Sequence, residues 1–303
     1  ILTGADLSNK GISTGTILKN ANLSYTNIYG LNLVDKDLTG ANLTGVDLSS
    51  MNLTGTILAG TDLTDANLTG VDISGKDLTG TILTGANLTD ANLTGVDLSG
   101  KDFTGTILTN TNLENAILIG AILNCIDNPV CSPLDLTDID LSGKDFTGAR
   151  LVGSDLSYKD LTETVLMYAD LTDANLTGVD ISGKDLTGTI LTGANFTDAN
   201  LTGVDISGKD FTGTILTGAN LTDVNLDDID LSGKDLTGTI LTGADLSGKD
   251  LTGTILTGAD LSNSKLIDTD FTNANLKNAN LKYALLVGAN LSNTILTNSD
   301  LSG

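Results

Sequence analysis

Every fifth residue of this chain is large and apolar. Stepping by five from Leu23 meets only Leu, Ile or Phe as far as Leu123, and a second run goes from Leu136 to Leu301. With Leu7, Ile12 and Leu18 there are 58 such centres, and all five phenylalanines stand on them. A period of five matches neither the 3.6 of a helix nor the 2 of a free strand. It matches a chain that turns a corner every five residues, with the centre, here called i, pointing inward. Position i−2 is mostly Ala, Val, Thr or Lys, i−1 is Asn, Asp or Ile, i+1 is Thr or Ser, and i+2 is Gly, Asp or Asn. The small i−2 then points inward too, and Gly, Asn and Asp are the residues that tolerate tight turns.

Stretches such as Ala66-Asn67-Leu68-Thr69-Gly70 and Ala86-Asn87-Leu88-Thr89-Asp90 resemble the A(D/N)LXX motif of the pentapeptide-repeat family, and the likeness covers practically the whole chain. That resemblance implies an all-β fold, a right-handed quadrilateral β-helix of about 14–15 coils with four pentapeptides each. Stacked at ~4.8 Å per coil, such a solenoid would be roughly 70 Å long and stabilised by neighbour contacts along one dimension. Residues 1–303 read as one solenoid, with an irregular first coil over 1–20 and a loop insertion at 124–135.

A longer repeat overlies the short one. Lys76–Gly100 recurs as near copies beginning at Lys184 and Lys209, a period of 25. On a 20-residue coil this module advances one side per copy and paints a spiral; on a 25-residue coil Lys184, Lys209 and Lys234 would stack in register, which like charges oppose. The four-sided coil is therefore the expectation. Ten of the fourteen lysines (Lys10, Lys36, Lys76, Lys101, Lys144, Lys159, Lys184, Lys209, Lys234 and Lys249) occupy the inward i−2 position. A buried bare ammonium costs several kcal/mol, so each stem is expected to line its corner while the ammonium snorkels out to neighbouring aspartates. A covalent Lys to Asp or Asn cross-link is the sharper alternative.

Between Leu123 and Leu136 the spacing is 13, read as two pentapeptides plus three residues, and the segment holds both cysteines and both prolines. Cys125 and Cys131 flank an Asn-Pro turn. They read as a small disulfide loop suited to an oxidising compartment, with two free cytosolic thiols as the alternative. Just before the loop, Ile117, Ile119 and Ile122 cluster where the pattern expects polar residues, a candidate lateral contact set against an irregularly packed coil. At the ends, Ile1, Leu2 and Leu301 are candidates for head-to-tail stacking, because neither end shows a helical cap and an open coil edge invites a second copy.

Composition narrows the chemistry. The net charge is −23, with no His, no Trp and a single arginine, Arg150. Direct nucleic-acid binding through a basic face is excluded, and the usual general base and phosphate fork are missing. No nucleophile–base pair, metal constellation or phosphate loop is legible, so no catalytic residues and no cofactor are assigned. Asp210, Asp230, Asp250 and Asp270 would form one ladder on a 20-residue coil; weak Ca²⁺ binding there is set against a plain solvated acidic face. Eleven Asn-x-Ser/Thr sequons arise from the repeat consensus itself and permit glycosylation without arguing for it. Dense Thr at i+1 is ordinary for this repeat, and ice binding ranks low.

No apolar run is long enough to span a bilayer. The chain opens inside a repeat, with neither a charged nor an apolar leader region, and reads as mature or trimmed. The reading that follows is a rigid, acidic, non-catalytic rod, extracellular or at the cell surface, which self-associates end to end; a cytoplasmic location is the alternative. The resemblance supplies a second function, since some pentapeptide-repeat proteins act on type II topoisomerases by resembling duplex DNA. Here the charge density is about one per 3 Å against one per ~1.7 Å for DNA.

Overall fold

The computed structural model describes residues 4–13, 16–49, 51–108, 111–113, 116–123, 136 and 139–303. The chain divides into two compact units, Ile1–Asp155 and Leu156–Gly303. Within each, the backbone turns at every pentapeptide and pairs in parallel with the residue twenty further on, as in Asn22 with Asn42, Asn42 with Asp62, and Asp62 with Ile82 in the first unit, or Asn200 with Asn220 in the second. Four pentapeptides make one coil.

The hydrogen bonding explains why five residues form a side. The i−2 amide closes the turn onto the preceding centre, as Ala41 N does to Leu38 O at 2.8 Å. The i−1 amide donates to the coil before, Ile57 N to Lys36 O at 3.0 Å, and the centre donates to the coil after, Leu38 N to Ile57 O at 3.0 Å. The i+2 amide also reaches the next coil, Gly40 N to Ala59 O at 3.1 Å. Only the i+1 amide lacks a backbone partner, and the i−1 side chain supplies one: Asn87 Oδ1 accepts from Thr89 N at 3.0 Å, Asp97 Oδ1 from Ser99 N at 2.9 Å. Buried backbone donors require such partners, so Asn and Asp at i−1 are acceptors built into the turn. The sequence pattern marked them only as turn-tolerant.

At i+2 the backbone enters the left-handed region, with φ of 67° at Gly95 and 56° at Tyr158. Four tyrosines (Tyr25, Tyr158, Tyr168, Tyr283) adopt this conformation, and each has a glycine twenty residues later. The Tyr158 ring lies over Gly178, where an added Cβ would strike it.

The interior is solid. Leu38, Leu43 and Leu48 are fully buried, as are Phe196 and Phe271, and the i−2 residues Ala41, Ala66 and Ala86 pack beside their centres. Stability comes from these inward columns, each coil covering the apolar face of the next.

The coil that contains the cysteine segment is longer than expected. Ile122 pairs with Arg150, 28 positions on, and Leu136 is buried as the next centre after Leu123. The thirteen-residue step therefore spans one side of the square and carries eight extra residues, not the three obtained by counting two pentapeptides. Cys125 and Cys131, with the expected disulfide, lie outside the described residues, as do Ile1 and Leu2.

Candidate functional site

The inward lysines are the first group the fold has to accommodate. Lys36 and Lys144 are buried, and Lys76, Lys101, Lys184, Lys209, Lys234 and Lys249 are half-buried. Their ammonium groups do not run out to carboxylates. Lys101 Nζ donates to Leu78 O at 2.6 Å and Thr81 O at 3.2 Å, Lys144 Nζ to Leu113 O at 2.7 Å, Lys234 Nζ to Phe211 O at 2.7 Å and Lys249 Nζ to Leu226 O at 2.8 Å. Lys36, Lys76, Lys184 and Lys209 likewise bond carbonyls of the preceding coil. The expectation that the ammonium snorkels to aspartates is corrected for these eight. A centre carbonyl that already accepts one turn amide has a second lone pair, which Thr hydroxyls use elsewhere: Thr106 Oγ1 donates to Leu83 O at 2.9 Å. Lys101, Lys144, Lys234 and Lys249 extend the same device across the corner, while Lys76, Lys184 and Lys209 reach the i−2 carbonyls of Thr56, Thr164 and Thr189, and Lys36 the carbonyl of Ser13.

Burial pulls the Lys101, Lys184 and Lys209 ammonium groups below the usual lysine range, opposed by Asp97 and Asp77, Asp180 and Asp160, and Asp205 and Asp185 respectively. The aspartates serve the corner as a counter-field. Asp77, Asp97, Asp180, Asp185 and Asp205 are held below the ordinary carboxylate range chiefly by their own turns, the Ser99 hydroxyl and amide for Asp97 and those of Thr79 for Asp77. Two shallow clefts result, one of about 250 Å³ between Lys76, Asp77, Asp97 and Lys101, the other of about 480 Å³ between Lys209, Asp210, Asp230 and Lys234.

The candidate calcium ladder takes the same form. Asp250 pairs with Asp270, yet each carboxylate accepts from its own turn: Thr212 N to Asp210 at 2.8 Å, Ser232 N to Asp230 at 2.9 Å, Thr252 N to Asp250 at 2.8 Å and Thr272 N to Asp270 at 2.8 Å. Among the described residues no three His, Cys, Asp or Glu side chains converge on a metal position. The ion pairs Lys19–Asp37 at 3.9 Å and Lys265–Asp245 at 3.1 Å are exposed and add little stability.

Of the candidate interface residues, Ile117 and Ile119 are exposed and Ile122 is half-buried on the adjoining side of the same coil. Leu301 is exposed on the last coil.

The pentapeptide-repeat model ("Pentapeptide repeats") matches in eight copies, over residues 47–85, 61–100, 86–124, 145–183, 185–218, 219–258, 254–293 and 274–303. The chain belongs to the pentapeptide-repeat family. The four-sided coils are accordingly those of a right-handed quadrilateral β-helix. Members of this family are generally structural or protein-interacting rather than catalytic. Among solved structures, this pentapeptide-repeat protein is similar to HetL, involved in heterocyst differentiation regulation in the cyanobacterium Nostoc sp. strain PCC 7120, at 26% identity over 94% of this chain and 91% of that one, with a TM-score of 0.25. It is similar to a pentapeptide repeat protein of the Arabidopsis thaliana thylakoid lumen at 32% identity over 44% and 70% of the two chains, TM-score 0.20. To full-length QnrB1, a plasmid-mediated fluoroquinolone resistance protein, the values are 18% over 77% and 90%, TM-score 0.22. No curated protein matches the chain. No helix among the described residues is long and apolar enough to cross a membrane.

Proposed function

We propose that this pentapeptide-repeat protein is a non-catalytic structural element, extracellular or at the cell surface, whose coils stack end to end between copies. The observation that carries the reading is the coil itself: each pairs in parallel with the coil twenty residues on through one repeated set of main-chain bonds, Asn200 with Asn220 and Asn220 with Ile240, so a coil of a second copy presents the same geometry for pairing. Sedimentation velocity across a concentration series tests it. The native chain should give species that grow with concentration, and Leu296→Lys, which places a charge among the half-buried inward leucines Leu286 and Leu291, should hold the chain monomeric. A native chain that stays monomeric throughout overturns the reading. The extracellular placement is supported by the acidic surface and the cysteine pair, and thiol titration of the unreduced native protein should find no free thiol.

A second reading, a DNA mimic acting on a type II topoisomerase, is supported by the outward column Asp210, Asp230, Asp250 and Asp270, one carboxylate per coil. It predicts salt-sensitive protection or inhibition of DNA gyrase by the purified chain. No effect at micromolar concentration contradicts it.

A further inference from the structure

We propose that the groove around Tyr29 binds neutral carbohydrate. At Leu31 and Met51 the chain places large side chains, twenty residues apart, in the i−2 position that mostly holds Ala, Val or Thr. Leu31 is 4% exposed and Met51 half-buried, so large side chains fill this corner from inside where small ones are usual. A cleft of about 650 Å³ opens on its outer side. Tyr29 is the one tyrosine at i+1, and its side chain stands 76% exposed in the lining.

The polar groups around that ring are held in place. Asn27, Asn32 and Asn52 are exposed, and the Oδ1 of each accepts from its own turn, from Tyr29 N at 3.1 Å, Val34 N at 3.0 Å and Thr54 N at 2.9 Å. The NH₂ end of each amide is thus what it offers to the groove. Asp47 Oδ1 accepts from Ser49 N at 2.9 Å and Asn67 Nδ2 at 3.0 Å, which leaves Oδ2 as an acceptor. An accessible aromatic ring among fixed amide donors and one carboxylate acceptor matches a pyranose. The sugar's C–H face packs on the ring, and neighbouring hydroxyls, each a donor and an acceptor, pair with the amides and the carboxylate. Because the turns already immobilise these amides, little side-chain freedom is lost on binding. Charge selects among sugars: the lining holds Asp47 and no cation, on a chain of net charge −23, so uronates and sulfated sugars are disfavoured.

The test is calorimetric and NMR titration of the full chain with cellohexaose, maltohexaose and, as the anionic control, trigalacturonate, repeated with Tyr29→Ala and Asp47→Asn. Saturable binding of one of the neutral hexaoses at roughly millimolar concentration or below is expected, about tenfold weaker in Tyr29→Ala and weakened in Asp47→Asn. Tyr29 lies outside the core, so both variants should unfold at the native temperature, which separates a lost contact from a lost fold. Absence of saturable binding by both hexaoses, undiminished binding by Tyr29→Ala, or a preference for trigalacturonate overturns the proposal.

Discussion

Lys101 tests what an inward lysine does. Its ammonium bonds two carbonyls of the coil before, where a threonine at the equivalent place uses its hydroxyl. Lys101→Thr should therefore be close to neutral, while Lys101→Met, which leaves those carbonyls without the donor, should cost about 1 kcal/mol in chemical denaturation. Equal losses in both would show that the lysine contributes packing alone. This role was not legible beforehand. The pattern exposed ten lysines in the wrong place and the cost of burying them, but the carbonyls of the preceding coil that receive the ammonium groups come within reach only when the coils are stacked. The aspartates set the pH response. Turn hydrogen bonds depress Asp72, Asp77, Asp97 and Asp230 below their unfolded values. That contribution is present above about pH 4 and is lost as pH falls through the lower folded values. Lys101, Lys184 and Lys209 act in the opposite range: with folded values below the unfolded ~10.4, they make stability rise as pH climbs towards it. A melting temperature that declines from about pH 5 to pH 2.5 is expected; a flat or rising profile would show that relief of the acidic self-repulsion dominates.

A single side of the coil explains the pairing of bulky i+2 residues with glycine. Tyr158 takes a left-handed conformation and lays its ring over Gly178. Gly178→Ala should cost more than Gly95→Ala, where an added Cβ meets nothing and only the backbone strain of about 1 kcal/mol remains. Placing Gly178→Ala on a Tyr158→Ala background should bring the cost down to the Gly95→Ala level, and a cost unchanged by removing the ring would refute the contact. The longer repeat has an equally local reason. With 25 residues per module on a 20-residue coil, Lys101 stands over Thr81, Lys184 over Thr164 and Lys209 over Thr189, bonding the carbonyl of each. Acid columns are interrupted the same way, Asp102 pairing with Ile122 and Asp235 with Ile255. Thr81→Lys would set two ammonium groups in register and should destabilise by more than the exposed control Thr79→Lys. The four-sided coil was legible from the like-charge argument, and so is the threonine under Lys101, Lys184 and Lys209, which stands five residues after Lys76, Lys159 and Lys184 respectively. The extra length of the cysteine coil was not legible, because spacing alone does not say which side of the square a residue occupies.

At the scale of the molecule, function was less legible than fold because a repeat built for neighbour contacts spends most of its residues on its own backbone. Asn and Asp at i−1 satisfy turn amides, Thr and Lys at i−2 satisfy carbonyls, and glycine accepts the side chain of the coil before. What is left for partners is where the pattern breaks: the exposed Ile117 and Ile119 and the groove at Tyr29. The central functional claim is that a coil of one copy pairs with a coil of another. Electron microscopy of the native protein at micromolar concentration tests it most directly. Unbranched filaments one solenoid wide, lost in Leu296→Lys, are predicted; discrete particles of uniform length at every concentration would contradict end-to-end assembly.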